Sequence, residues 1–201
     1  SVYSYAMCSR FEVNASSRDL TRPYGFNDLL TDFTTGEVRP TNPSLTITAG
    51  GPQVMRWGLS VDWNNKPLIN ARGETLTEKS TFRPLLKNRC LVLATAFFEW
   101  RRDGGQRFKN RIAPNDGATT AFAGLHDEER FVIITCAPAS DIAHIHNRMP
   151  VVLGVGDALQ WIDASLGFKN VGSLLVPSAN GAFVATEAMT ASSTQSNQLG
   201  S

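Results

Sequence analysis

Cys8, directly after Met7, offers the most distinctive chemistry in this chain. A cysteine behind an initiator methionine becomes the first residue once the methionine is removed, and removal is expected because cysteine is small. The freed residue then carries two nucleophiles. These are an α-amine with a pKa of about 7.7–8.0 and a thiol near about 8.5, both partly deprotonated at neutral pH. Such a 1,2-aminothiol condenses with an aldehyde: the amine forms a Schiff base and the thiol closes a five-membered thiazolidine. The same residue could instead attack an amide as an N-terminal nucleophile, with its own amine as base. The plain alternative is a small buried residue near the chain start.

Four further segments hold candidate partners. Asn70-Ala71-Arg72-Gly73-Glu74-Thr75 offers an amide beside a guanidinium suited to phosphate, or simply a polar loop. In Phe97-Phe98-Glu99-Trp100 a carboxylate sits among aromatics, where burial would raise its pKa toward acid–base use. An outward-facing strand glutamate is the rival. His144-Ile145-His146-Asn147-Arg148-Met149-Pro150 supplies groups that titrate near neutrality and a guanidinium for a phosphate or carboxylate. On a strand, His144 and His146 would point the same way and could hold zinc, but no third ligand is obvious and no metal is expected. Finally, Trp57 and Trp63 with Arg10, Arg39, Arg56, Arg72 and Arg83 could stack on unpaired bases and neutralise phosphate. Trp57 reads as core, whereas Trp63 lies between Asp62 and Asn64 in a turn.

The elements that must position these groups are mostly strands. Cys90–Ala94, Phe131–Thr135, Ala121–Leu125 and Met149–Leu153 are apolar runs bounded by turn signals. Arg102-Asp103-Gly104-Gly105 reads as the turn of a hairpin between Phe97–Trp100 and Gln106–Phe108. Helical patterns are fewer: Asp157–Ile162 with an acidic N-cap, one short helix in Arg18–Thr31 broken near Pro23 and Gly25, and Thr77–Leu86 capped by Thr77. The expected class is α+β: a β-rich single domain with a mainly antiparallel, barrel-like sheet core and a few short helices.

The chain has 201 residues, 42% hydrophobic and 18% charged, which suits one globular domain. Its 19 basic and 18 acidic residues give a net charge of +1, so nucleic-acid binding would need a local basic patch. Three widely spaced cysteines argue against a disulfide framework. No apolar run of about 18 residues occurs, so no membrane span is expected. No secretory layout is visible, so a cytoplasmic protein is expected. Residues 1–6 read as an extension or remnant, 7–189 as the domain, and 190–201, rich in Ser, Thr, Gln and Asn, as a disordered tail.

The ordered motifs resemble those of the SRAP family, the SOS response-associated peptidase-like domain that shields abasic sites in single-stranded DNA. Met7-Cys8-Ser9-Arg10-Phe11 resembles the family start Met-Cys-Gly-Arg-Phe. Arg39-Pro40-Thr41-Asn42, Trp57-Gly58-Leu59, Asn70-Ala71-Arg72 with Glu74-Thr75, Arg89–Trp100, Phe122–Leu125 and His146-Asn147-Arg148-Met149-Pro150 follow in the family order. Ser9, Leu93 and Ala96 stand where Gly, Pro and Gly are usual, and the chain after Leu153 matches poorly.

The resemblance implies a β-rich fold with a basic groove leading to the cysteine. It implies that Cys8 is the covalent nucleophile, that Asn70 orients the substrate and the cysteine amine, and that Glu99 shuttles protons. His146 would protonate O4′ as the deoxyribose opens. Arg10, Arg72 and Arg148 would contact the phosphate backbone or hold the polar network, Arg39 and Arg83 would add DNA contacts, and Trp63 would stack on a base. The expected activity is capture of an abasic site in single-stranded DNA as a thiazolidine crosslink, by a monomer that engages the nucleoid and needs no cofactor. Two rivals stand beside it: a thiol peptidase acting on its own N-terminal extension, and a reversible single-stranded DNA-binding module.

Overall fold

Apolar runs punctuated by turn residues fold into two large sheets and one two-stranded ribbon, Leu59–Val61 with Asn64–Leu68, in the computed structural model, which describes residues 8–188. The expected extension at 1–6 and tail at 190–201 lie outside the described residues. The Cys90–Ala94 run becomes the strand Arg89–Ala94, buried at every position. It is one stave of a ring. Pro43–Thr48 pairs with Arg89–Ala94 on one side and Gly51–Trp57 on the other. Arg89–Ala94 then pairs with Thr120–His126, and that strand with Arg130–Cys136. A short parallel contact, Arg130 with Arg56 and Phe131 with Trp57, closes the circuit. The other four pairings of the ring are antiparallel, so the barrel-like core expected from the sequence is present as a closed five-strand path.

Closure forces close approach at Gly124, whose strand is paired on both edges. A Cβ there would stand 2.9 Å from the Val132 carbonyl oxygen and 2.9 Å from Cys90 Sγ. The backbone oxygen cannot rotate away, so Gly124→Ala should destabilise the domain by about 1–3 kcal/mol. A lowered urea midpoint at unchanged m-value would register that loss.

The chain leaves the barrel at Thr95, the single residue between Arg89–Ala94 and Ala96–Asp103. Ala96–Asp103 is the central strand of a five-stranded antiparallel sheet, ordered Phe183–Glu187, Gln106–Pro114, Ala96–Asp103, Arg10–Val13, Gly36–Val38. Its hairpin turns on Gly104 and Gly105 alone, at φ +51° and +82°. Two successive positive φ values suit a tight primed turn that only glycine enters cheaply. The turn is therefore shorter than the four residues expected, and Arg102 and Asp103 stay in the strand. Phe11, Phe97 and Phe122 bind the two sheets together, with Phe11 and Phe97 each 6.0 Å from Phe122 in edge-to-face contact.

Some sequence expectations change. Thr77–Leu86 is not an α-helix: it forms turns with one 3₁₀ segment, Arg83–Leu85, and Pro84 sits in the first turn of that segment instead of ending a helix. Asp157 lies in the first turn of Val155–Ile162, whose N-cap is Gly154. Met149–Leu153 divides into Met149–Pro150 and Val152–Leu153, which join different barrel strands. Ser17–Thr21 followed by Arg22–Tyr24 gives the short interrupted helix expected there, and Gly25 ends it at φ +86°.

Candidate active site

Strand register brings Cys8 to Glu99. Phe11 opposes Phe97 and Arg10 opposes Phe98, so the residues just before Arg10 run alongside Glu99. Phe97 faces the core, and alternation turns Glu99 to the same inner face, where it is 2% exposed. The Cys8 backbone N–H donates to Glu99 Oε1 at 2.7 Å. Asn70 opens the short strand Asn70–Arg72, held parallel to Ile133–Thr135. From there its Nδ2 donates to the Cys8 carbonyl at 3.3 Å. The second oxygen of Glu99 lies 3.8 Å from His146 Nε2. Cys8, Asn70, Glu99 and His146, spread over 139 residues of sequence, thus form one cluster.

His146 sits in a loop, not on a strand, and the Arg148 N–H donates to its Nδ1 at 3.2 Å. That fixes which nitrogen faces Glu99. His144 is exposed, so the expectation that both rings share a strand face fails. The zinc pairing that rested on it has no geometric basis.

Burial sets the protonation states. It pushes the Glu99 carboxyl up from 4.5 to about 8, against the opposing pull of the Cys8 and Trp100 backbone and the Arg107 charge. Burial also lowers His146, and the Arg102 charge lowers it further, while the Arg148 backbone bond opposes both. Near neutrality Glu99 therefore holds a proton and His146 is an uncharged imidazole, so their contact joins two neutral groups. The Cys8 thiol, fully buried, is raised by burial and then by Glu99. A partly ionised thiol was expected from the free amino acid. In this enclosed position the sulfur keeps its proton until a base removes it.

Cys8 also has an unusual backbone. Its φ is +30°, in a region costing a non-glycine residue about 1–3 kcal/mol. The bonds at its nitrogen and its carbonyl hold it there.

The arginines divide by role. Arg148 donates to both Glu74 oxygens, at 2.6 and 2.8 Å, and to the Thr135 carbonyl at 2.7 Å. Of the two roles open to it, the geometry places it in the polar network. Arg10 lies 3.3 Å and Arg39 3.5 Å from Glu37. Arg72 and Arg83 are exposed. Trp63 is 68% exposed in the turn between Leu59–Val61 and Asn64–Leu68, while Trp57 is fully buried and donates to the Ile69 carbonyl. Sequence reasoning gave Glu74 and Thr135 no role. Glu74 sits inside the Asn-Ala-Arg-x-Glu-Thr run, but nothing local signals a partner 74 residues away.

The sequence profile described as SOS response associated peptidase (SRAP) matches residues 7–192. The chain belongs to the SRAP family. Similar SRAP relatives include the abasic site processing protein YoaM of Bacillus subtilis, 32% identical over 183 residues, covering 78% of this chain and 79% of that protein. The abasic site processing protein YedK of Escherichia coli is 31% identical over 128 residues, covering 59% of this chain and 58% of that protein. HMCES of Gallus gallus, also named an abasic site processing protein, is 29% identical over 169 residues, covering 64% and 50%. Among solved structures, a Bacteroides thetaiotaomicron protein superposes with TM-score 0.77 at 26% identity, covering 90% of this chain and 92% of that one. Two of the three departures from the usual SRAP motif, Leu93 and Ala96, are fully buried, whereas Ser9 is half-buried.

Proposed function

We propose that this protein captures abasic sites in single-stranded DNA by a covalent bond through Cys8. The relatives' shared name, abasic site processing protein, supports a damaged-DNA substrate. The observation that carries the reading is the Cys8 nitrogen 2.7 Å from a buried carboxyl whose other oxygen faces a histidine. With residue 7 removed, that nitrogen is an amine. An abasic deoxyribose opens as its C1′ hydroxyl loses a proton and O4′ gains one, with His146 placed to relay it. The amine adds to the C1′ aldehyde, and the aldehyde oxygen leaves as water with protons delivered through Glu99. The thiol then adds to the imine carbon while its proton passes to the imine nitrogen, closing the thiazolidine. Asn70 holds the Cys8 carbonyl, so amine and thiol stay aligned. A flexible single strand can present the sugar without the cost of unpairing a duplex.

The test mixes protein lacking residues 1–7 with a single-stranded oligonucleotide bearing one abasic site. A heat-stable adduct on a denaturing gel is expected for the parent and none for Cys8→Ala. An equal adduct with Cys8→Ala, or none with the parent, overturns the reading.

The same contact favours a second activity, self-cleavage between Met7 and Cys8. The Cys8 thiol adds to the residue 7 carbonyl, the C–N bond breaks, the departing nitrogen takes a proton from Glu99, and the thiol's proton replaces it on the carboxyl. Water then hydrolyses the thioester. Intact-mass analysis of protein expressed from Ser1 should show a Cys8 start, and Glu99→Gln should retain the full chain. An uncleaved parent overturns this second reading.

A further inference from the structure

A cavity of about 530 Å³ opens where the strands Gln106–Pro114 and Thr120–His126 meet the start of the helix Val155–Ile162. That volume suits a small organic ligand. Cys8, Asn70, Glu99 and His146 do not line it, so it is separate from the candidate active site. Leu153, Val155, Leu174, Val176 and Phe183 supply apolar walls. Hydrogen bonds hold those walls in place: the Asn115 N–H donates to the Ala182 carbonyl at 3.0 Å, and the Gly181 N–H to Asp141 Oδ2 at 2.8 Å. Three hydroxyl-bearing residues share the lining. Thr120 is 5% exposed, yet its Oγ1 has no hydrogen-bond partner among the described residues. Ser178 Oγ is buried and likewise unpartnered. Tyr24 is 6% exposed, and burial pushes its phenol up to about 12, so it keeps its proton. A buried polar atom without a partner costs stability until something binds it.

The charge of the lining has one sign. Asp116 and Asp157 belong to it, and no lysine, arginine or histidine among the described residues does. Both carboxylates are exposed, and neither joins an ion pair among the described residues. Asp116 Oδ1 accepts the Ala118 N–H at 3.0 Å, which leaves Oδ2 available. The helix start pulls the other way. Its N-cap, Gly154, makes no side-chain bond, and a helix N-terminus carries about +0.5 of a charge. Two full negative charges outweigh that, so the cavity favours a cation over an anion.

We propose that this cavity binds a protonated amine carried on an apolar chain. The chain packs against the apolar walls. The ammonium has three donors and no acceptor, which matches the carboxylates and the unpartnered oxygens of Thr120 and Ser178. Its bonds to the carboxylates are charge-assisted and stronger than neutral ones. A free aliphatic amine and a lysine side chain share this chemistry. The amine site stands whether or not Cys8 captures DNA.

The test titrates hexylammonium, 1-hexanol and hexanoate, equal in chain length and different in charge, into the isotopically labelled full chain and follows backbone amides by NMR. Hexylammonium should shift the signals of Thr120, Gly154, Val155 and Ser178, with a Kd on the order of 1 mM, the range open to so small a ligand. Hexanol should bind about fivefold more weakly and hexanoate should not bind. Asp116→Asn/Asp157→Asn should keep the parent Tm, weaken hexylammonium about fivefold and leave hexanol unchanged. Thr120→Val, which removes the hydroxyl at nearly constant volume, should weaken hexylammonium about threefold. Nα-acetyl-lysine N-methylamide separates the two sources: binding at least as tight as hexylammonium identifies a lysine side chain, and weaker binding a free amine. Hexanol or hexanoate binding as tightly as hexylammonium overturns the proposal. So does an absence of shifts, shifts confined to residues outside the lining, or an undiminished hexylammonium affinity in the double aspartate variant.

Discussion

Glu99→Gln should abolish most covalent capture while making the folded protein more stable in alkaline solution. The amide keeps an oxygen to accept the Cys8 N–H but can neither take nor give a proton. Loss of a positioned acid–base group lowers such rates by about 10²- to 10⁴-fold. The stability effect has the opposite sign because of burial. The folded-state carboxyl titrates at about 8 against a reference of 4.5. Between those values the unfolded chain has already released its proton and the folded protein has not. Stability from this group is therefore full below about pH 4.5 and is lost as pH rises through about 8, by up to about 5 kcal/mol. Glu12, Glu37 and Glu74 are held below the usual carboxylate range by Arg111, Lys109 and Arg148, so their contributions run the other way, lost on acidification. The difference between parent and Glu99→Gln isolates the one residue. Urea denaturation at pH 6 and pH 9 should show the variant gaining on the parent at the higher pH. A pH-independent difference would mean that Glu99 is ionised in the folded protein.

The second large effect is structural. Arg89→Met should cost about 3–5 kcal/mol and lower Tm by roughly 6–20 °C. Arg89 is 5% exposed, and its guanidinium donates to the carbonyls of Trp161, Leu86, Asp163 and Leu166. These include Trp161, the penultimate residue of the helix Val155–Ile162, and Asp163, the residue capping it, where carbonyls lack intrahelical donors and a cation opposes the helix dipole. Methionine fills much of the volume and satisfies none of the oxygens. Calorimetry checks the shift. A Tm within 2 °C of the parent would show that these carbonyls find other partners.

The candidate cluster was legible because each member sits in a distinctive segment and the segments follow in the order of the SRAP motifs. Cys8 follows Met7, Glu99 stands among aromatics, and Asn70 and His146 lie in polar runs beside arginine. The long apolar strands were legible for the same reason, since Arg89–Ala94 and Arg130–Cys136 need no tertiary information to read as buried. Pro43–Thr48 was missed because Ser44, Thr46 and Thr48 interrupt its pattern, although barrel closure buries them too. Thr77–Leu86 looked helical by composition, but isolated helices this short are marginal without a packed face. What no local pattern carries is pairing across long separations: Arg148 with Glu74, Arg111 with Glu12, and the single residue Thr95 that joins the two sheets.

The twisted backbone of Cys8 would favour the proposed N-terminal cut over its reversal. The angle φ is defined by the carbonyl carbon of the preceding residue, so it ceases to exist once that bond is broken. The +30° conformation is a cost borne only by the uncut chain. Its release, about 1–3 kcal/mol, biases the equilibrium between cut and joined chains by roughly 5- to 150-fold toward the cut form. In that reading the bonds from Glu99 and Asn70 that hold this residue would act as a ratchet. Kept after the proposed cut, they would hold the new amine where it was made, and rejoining would have to wind the torsion up again.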